Sequence, residues 1–226
     1  MMRNVPYREA IGALNWVAVG TRPDIAFVVG QLAQFMESPG KVHWEAVKRV
    51  LRYLKGTKDL RLTYGKRGTR GLEAFVDADG ATQEHRRAIS GFVITIDGGA
   101  VSWMSKKQEL VTLSTMEGEY VAATHAAKEL LWLRHLIGDV FRLLRQPILL
   151  HCDNQSAISL TRSQGQFHAR TKHIDIRWHF IKFCIDDGTI NIIYCPTEDM
   201  TADILTKALS LQKVKKFTVA LGLLSV

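Results

Sequence analysis

The residues best placed for chemistry in this 226-residue chain are carboxylates at the ends of apolar runs. In Leu72–Asp77, Leu72, Ala74 and Val76 alternate with Glu73, Phe75 and Asp77, the two-residue period of a strand, and Asp79 lies just beyond. Glu119 falls in the first turns of a long helical pattern, Asp153 closes a short apolar run, and Asp203 lies in a last helical segment. Hard divalent cations take carboxylate oxygens. Four converging acids therefore suit a pair of such ions. Two positions stay open: Asp79 shares the strand face of Asp77 and rivals it, and Glu117 rivals Glu119. Residues two apart on a helix cannot share a face, so one of these glutamates caps the helix or meets solvent.

These acids need elements to hold them. Gly91–Ile96 and Ala100–Met104 flank an Asp97-Gly98-Gly99 turn and predict a hairpin, giving three strands in meander order with Leu72–Asp77. Ser114–Ile137 predicts a long helix with Ser114 or Thr115 as N-cap. Pro147–Cys152 and Thr189–Cys195 predict two more strands, with helices over Asn154–Arg162, Thr171–Asp186 and Thr201–Ala208. That order predicts an α/β domain, a mixed five-stranded sheet flanked by helices. Ahead of it, Tyr7–Gly20, Ile25–Met36 and Val42–Lys55 carry apolar residues at helical spacing, and Leu60–Tyr64 is a short strand. The expected organisation is a helical, basic unit over 1–66, the α/β domain over 70–210, and a helical tail over 211–226. Trp103, Trp132 and Trp178 lie on apolar faces and are assigned to the core.

The net charge of +8 is segregated: residues 1–70 hold 13 Lys/Arg against 5 Asp/Glu, and the remainder is balanced. A basic surplus confined to one unit is an electrostatic footprint for a phosphate backbone or a solvated face. Lys48, Arg49 and Arg52 on the third helix are its candidate contacts. Arg170, Lys172 and His173, near His168 and Arg177, are candidate phosphate contacts or an ordinary surface and helix-start group, and Asn154 and Gln155 lie beside Asp153. His179 pairs with Asp175 at i+4. Cys152, Cys184 and Cys195 are odd in number and without CxxC spacing, as expected of buried, reduced thiols. No apolar run reaches 18 residues and the first ten residues lack a signal-peptide core, so neither a membrane nor a secretory route is expected.

The runs Phe75-Val-Asp-Ala-Asp79, Ser102-Trp-Met-Ser-Lys-Lys-Gln108, Ser114-Thr-Met-Glu-Gly-Glu-Tyr-Val-Ala-Ala123, Cys152-Asp-Asn-Gln-Ser156, Thr171-Lys-His-Ile-Asp-Ile-Arg177 and Thr201-Ala-Asp-Ile-Leu-Thr-Lys207 resemble the ribonuclease H domain of copia-type LTR-retrotransposon polyproteins. Tyr7-Arg-Glu-Ala-Ile-Gly-Ala-Leu-Asn-Trp16, Thr21-Arg-Pro-Asp-Ile25 and Val50-Leu-Arg-Tyr-Leu-Lys-Gly56 resemble the C-terminal connection part of the same polyprotein's reverse transcriptase. The resemblance runs from about Tyr7 to Leu221 in the family's order. It implies a ribonuclease H-like fold with a small N-terminal helical extension. The implied activity is endonucleolytic cleavage of the RNA strand of RNA–DNA hybrids with two Mg²⁺ ions, for which Mn²⁺ substitutes.

By this resemblance the ligand set is Asp77, Glu119, Asp153 and Asp203. Asp77 bridges, Glu119 and Asp153 serve one ion, and Asp203 serves the other. Glu119 followed by Tyr-Val-Ala-Ala fits the family pattern better than Glu117. The implied partners are the hybrid and the polymerase portion of the polyprotein, in a cytoplasmic virus-like particle or the nucleus. No Tyr-x-Asp-Asp turn is present, so polymerisation is not expected of these residues. The chain departs from the family at Gly80-Ala-Thr82, in a shortened loop to Arg87, and at Ala88-Ile-Ser90. The competing expectations are a catalytically weak nucleic-acid-binding fragment and, last, a ribonuclease H-like enzyme acting on DNA.

Overall fold

The computed structural model describes residues 5–65, 71–80, 87–109, 112, 114–141, 147–162 and 172–225. The central strand is β2 (Leu72–Asp79), antiparallel to β3 (Ile89–Ile96) and parallel to β5 (Ile148–Cys152). With β4 (Gly99–Lys107) outside β3 and β6 (Ile190–Tyr194) outside β5, the sheet order is β4-β3-β2-β5-β6. This is the mixed five-stranded sheet expected from the alternating elements.

One face is covered by α4 (Thr115–Phe141), whose Ser114 hydroxyl accepts the Glu117 N–H at 3.2 Å. Ala122, Ala123, Ala126 and Ala127 of this helix are buried against Ala74, Val76 and Ile94. Small side chains let the helix axis come close to the sheet. Helices α5 (Gln155–Arg162) and α6 (Lys172–Asp186) complete that layer, and Trp178 on α6 is 2% exposed. Trp132, assigned to the core from its pattern, is 56% exposed. It lies between Leu131 and Leu133, about 100° round the helix from each, and Leu130 and Leu133 take the buried positions instead.

The opposite face is covered by a 3₁₀ turn, Thr201–Leu205, and by α7 (Leu211–Ala220). Ile204, Leu205, Phe217 and Leu221 pack there on Val93 and Ala100. The sequence pattern predicts a longer helix over Thr201–Ala208. All five residues of the turn are buried, so its course follows the sheet surface instead of one amphipathic stripe.

The N-terminal helices α1 (Tyr7–Gly20), α2 (Ala26–Ala33) and α3 (Lys41–Gly56) share a core of Tyr7, Ile11, Leu14, Val29 and Val47. A 3₁₀ turn over Pro23–Ile25 takes the start of the second predicted helix, because Pro23 fixes its backbone and Asp24 is drawn inward. This bundle touches the sheet domain directly: Trp103 Nε1 donates to the Ala18 carbonyl at 2.9 Å. A strand pair absent from the sequence reading adds a second tie. β1 (Leu60–Leu62) runs antiparallel to β7 (Leu223–Ser225) at the far end of the chain. Gly222, just before β7, has a φ of +84°, and a Cβ there would lie 2.7 Å from Gly99 Cα and 3.0 Å from the Thr63 carbonyl oxygen, so the bare backbone lets this end of the chain lie against the β3–β4 turn and the residue after β1.

Arg22 and Asp24 form the bundle's buried ion pair. The guanidinium donates to both Asp24 oxygens, at 2.9 and 2.7 Å, and to Thr57 Oγ1 at 2.8 Å, while Tyr53 donates to Asp24 Oδ2 at 2.7 Å. Every partner is used, so removing one strands a charge. We expect Arg22→Ala to lower the unfolding free energy by about 3–5 kcal/mol, read by urea denaturation. A loss below 1 kcal/mol would show that water replaces the guanidinium.

Candidate metal centre

Strand pairing alone brings two of the acids together. In the parallel β2–β5 register Phe75 faces His151, so two residues further along each strand Asp77 and Asp153 stand side by side. Asp77 lies on the sheet face that carries the 3₁₀ turn, which delivers Asp203. Glu119 comes from α4 on the other face, and its Oε1 accepts the Ala78 N–H at 3.2 Å. Asp77, Asp153 and Asp203 each offer an oxygen, all within 4.8 Å of one another. Glu119, Asp153 and Cys152 Sγ form a second such group among the described residues.

The donor set fits divalent cations. Asp77, Glu119 and Asp203 are 2%, 5% and 1% exposed, and Glu119 Oε2 is buried with no hydrogen-bond partner. An orphaned carboxylate oxygen is costly to bury unless a ligand completes it. Cys152 belongs to the core cluster beneath α4, and burial raises its thiol. A protonated thiol offers little to a hard cation, so the oxygens are the fitting ligands.

Burial, with Asp203 and Asp153 adding to it and Lys207 and Thr206 opposing, pushes Asp77 up to about 6. Burial and the charges of Asp77 and Asp153 hold Glu119 well above the usual carboxylate range. Burial raises Asp203 too, against Lys207.

Several residues around the centre carried no role in the sequence reading. The Thr206 hydroxyl donates to Asp77 Oδ2, and Thr197 donates to Asp153 Oδ2 at 3.0 Å. Lys207 Nζ lies 3.3 Å from Asp77 Oδ2 and 2.9 Å from Asp203 Oδ1, and Lys213 Nζ is 3.8 Å from Asp203 Oδ2. The spacing of Lys207 four residues after Asp203 was the one available signal. Gly91 faces Asp77 across the β2–β3 ladder, and a Cβ there would lie 2.6 Å from Thr206 Cγ2 and 2.9 Å from Leu205 Cβ. The bare backbone lets the turn bearing Asp203 lie on the sheet.

The remaining candidates are spread more widely. Glu117 sits in the first turn of α4, and Asp79 ends β2; neither joins the carboxylate groups among the described residues. Asn154 Oδ1 accepts the Ala157 N–H at 3.0 Å, which caps α5 and leaves the side-chain amide, while Gln155 is exposed. Lys48 pairs with Glu45 at 2.6 Å. Arg49 borders a largely apolar cavity of about 380 Å³ whose lining includes Lys207, and Arg52 is exposed. Lys172 and His173 open α6. Their side chains, His168, Arg170 and the altered loop over 81–86 lie outside the described residues. His179 Nε2 is 3.7 Å from Asp175 Oδ1, and the three cysteines are buried and free.

A mixed sheet of this order with carboxylates at the ends of β2 and β5 defines a ribonuclease H-like domain. No protein-family model matches the chain. It is 44% identical over 213 residues to the retrovirus-related Pol polyprotein from transposon TNT 1-94 of Nicotiana tabacum, which covers 94% of this chain and 16% of that one. The polyprotein from transposon RE2 of Arabidopsis thaliana is 36% identical over 222 residues, covering 97% and 15%. The chain belongs to these copia-type retrovirus-related Pol polyproteins, and spans about a sixth of their length. The secreted RxLR effector protein 161 of Plasmopara viticola is 48% identical over 133 residues, 58% of this chain and 94% of that one.

Among solved structures, the foamy viral protease-reverse transcriptase shares the fold. With double-stranded DNA bound it aligns at a TM-score of 0.54 and 14% identity, over 84% of this chain and 32% of that one. With an RNA/DNA hybrid bound the values are 0.52 and 14%, over 84% and 24%.

The raised Asp77 carboxyl sets the sign of a pH effect. The folded state takes up its proton near pH 6 and the unfolded chain only near 3.8, so stability falls as pH rises through that window and the penalty is complete above 6. We expect Asp77→Asn to stabilise the metal-free protein by roughly 2–3 kcal/mol at pH 7.5. Urea titrations in EDTA should show the gain fading between pH 6 and 4; a gain independent of pH would refute the cause. Gly91→Ala should lower stability by about 1–3 kcal/mol and weaken binding of a divalent cation, titrated as MgCl₂ or MnCl₂ by calorimetry, as the turn carrying Asp203 lifts. Unchanged binding would show that the turn is set elsewhere.

Proposed function

We propose that the chain hydrolyses the RNA strand of RNA–DNA hybrids with two Mg²⁺ ions, during reverse transcription of a retrotransposon. The observation that carries this reading is the convergence within 4.8 Å of Asp77 and Asp153, near the carboxyl ends of adjacent parallel strands, with Asp203 from the 3₁₀ turn, and with Glu119 closing from the other face. Asp77, Glu119, Asp153 and Asp203 would hold the ions, with Asp77 shared between them, Glu119 and Asp153 serving one and Asp203 the other. Bound there, the pair supplies a water nucleophile at neutral pH and neutralises charge on the leaving 3′-oxygen. Mn²⁺, also an oxygen-seeking cation, substitutes.

The chain's own residues prepare that chemistry. Thr206 and Thr197 fix the carboxylates of Asp77 and Asp153 by hydrogen bonds, so the oxygens keep their aim. The Asn154 amide and Gln155, next to Asp153, reach the ribose 2′-hydroxyl that separates RNA from DNA. Arg49, with Lys48 and Arg52 on the same helix, grips backbone phosphates beside the centre. Arg170, Lys172 and His173 contribute further phosphate contacts.

The working organisation is the basic helical unit over 1–66 joined to the hydrolytic domain over 70–210 and the tail over 211–226. It acts beside the polymerase portion of the polyprotein in a cytoplasmic particle. Among the described residues no helix is long and apolar enough to cross a membrane.

The test is cleavage of a hybrid labelled on either strand, with Mg²⁺ or Mn²⁺. The expected result is cutting of the RNA strand alone, reduced on the order of 10³-fold or more in Asp153→Asn, the rate equivalent of losing several kcal/mol of metal-borne stabilisation. Binding of the hybrid without cleavage in either metal would leave a nucleic-acid-binding role only.

A further inference from the structure

We propose that Lys207 is a resident counter-cation that fills the Asp77–Asp203 half of the centre, and that a divalent ion enters this half only by expelling it. The inference rests on the two-metal reading above. Lys207 Nζ sits 3.3 Å from Asp77 Oδ2 and 2.9 Å from Asp203 Oδ1. An ion held by those two oxygens at Mg²⁺ bond lengths of about 2.1 Å would overlap the ammonium group. Both cannot occupy the place at once. The Lys207 backbone N–H donates to the Asp203 carbonyl at 3.1 Å, so the chain leaving the 3₁₀ turn sets the two side chains on one side.

The other half differs. Among the described residues Glu119 and Asp153 have no such ammonium partner; their hydrogen bonds come from the Ala78 N–H and the Thr197 hydroxyl. Lys207 also has somewhere to go. Its side chain is 27% exposed and borders the cavity lined by Arg49 and Val214, and a four-carbon stem swings without backbone movement. The two halves therefore fill unequally: the Glu119–Asp153 half takes an ion freely, and the Asp77–Asp203 half takes one only against Lys207.

The first measurement uses the wild-type chain. Acylation by an amine-reactive ester, read by mass spectrometry, should modify Lys207 slowly in EDTA and severalfold faster in MgCl₂, with exposed Lys55 unchanged. Equal or slower labelling in MgCl₂ overturns the proposal. The second measurement is calorimetric titration with MgCl₂ alone. Lys207→Met should tighten the weaker Mg²⁺ site by about tenfold, the worth of one partly buried ion pair, and Lys207→Arg, which keeps the charge, should not. The wild-type labelling decides the matter even where a variant fails to fold. Mg²⁺ bound equally by wild type and Lys207→Met overturns the role of Lys207 alone; no Mg²⁺ binding by either overturns the metal centre itself.

Discussion

Repulsion among carboxylates is the constraint on which the rest of this structure depends. Two unit charges 4.8 Å apart at an effective dielectric of 20 repel by about 3–4 kcal/mol, and here three acids lie that close with a fourth beside them. No single local interaction offsets this. Thr206, Thr197 and the Ala78 N–H each donate one hydrogen bond, worth about 1.5–3 kcal/mol to a charged acceptor. The Lys207 ammonium offsets more because it touches two acids at once. Burial still leaves Asp77 and Glu119 holding protons more tightly than exposed carboxylates do. A centre that is uncomfortable without a bound cation is one that a cation stabilises, which links the fold's local strain to its chemistry.

The scaffold opposes the repulsion by making each acid's position the consequence of packing elsewhere. Asp77 and Asp153 cannot separate without breaking the β2–β5 ladder. Asp203 cannot withdraw because Ile204 and Leu205 beside it are buried on Val93, and the absent side chain of Gly91 leaves the turn pressed to β3. Glu119 is held by the row of alanines that seats α4 on the sheet. Apolar burial on two faces thus holds in place a charge cluster that would otherwise disperse.

What the sequence disclosed follows from the range of the interactions. Asp77 and Asp153 were legible because strand alternation and an apolar run ending in an acid are local patterns. Helical geometry says only that Glu117 and Glu119 cannot share a face; the choice of Glu119 rested on the family pattern of Glu119 followed by Tyr-Val-Ala-Ala. The Thr201–Ala208 helix was drawn too long because its burial is dictated by a sheet surface more than 100 residues earlier in the chain. The β1–β7 pair joins residues 60–62 to 223–225 and has no signature within either three-residue strand. Thr197 and Thr206 look like ordinary loop residues until the fold brings Asp153 and Asp77 to them. Trp132 shows the limit of reading aromatic residues as core: a helix of 27 residues is buried along one stripe, and a tryptophan off that stripe is exposed.

Charge is segregated between the two units. A cluster of acids repels a polyanion, and at physiological ionic strength that repulsion reaches about 8 Å. The basic surplus confined to residues 1–70 acts over the same distance, because α3 is packed close enough for Arg49 and Lys207 to border one cavity. The β1–β7 pair and the Trp103–Ala18 hydrogen bond fix that proximity. The two units differ in charge accordingly: the surplus of Lys and Arg lies in the helical unit, and the clustered carboxylates lie in the sheet domain. Their direct packing sets fields of opposite sign side by side, so the repulsion that the carboxylates exert on an anion is opposed by cations bordering the same cavity.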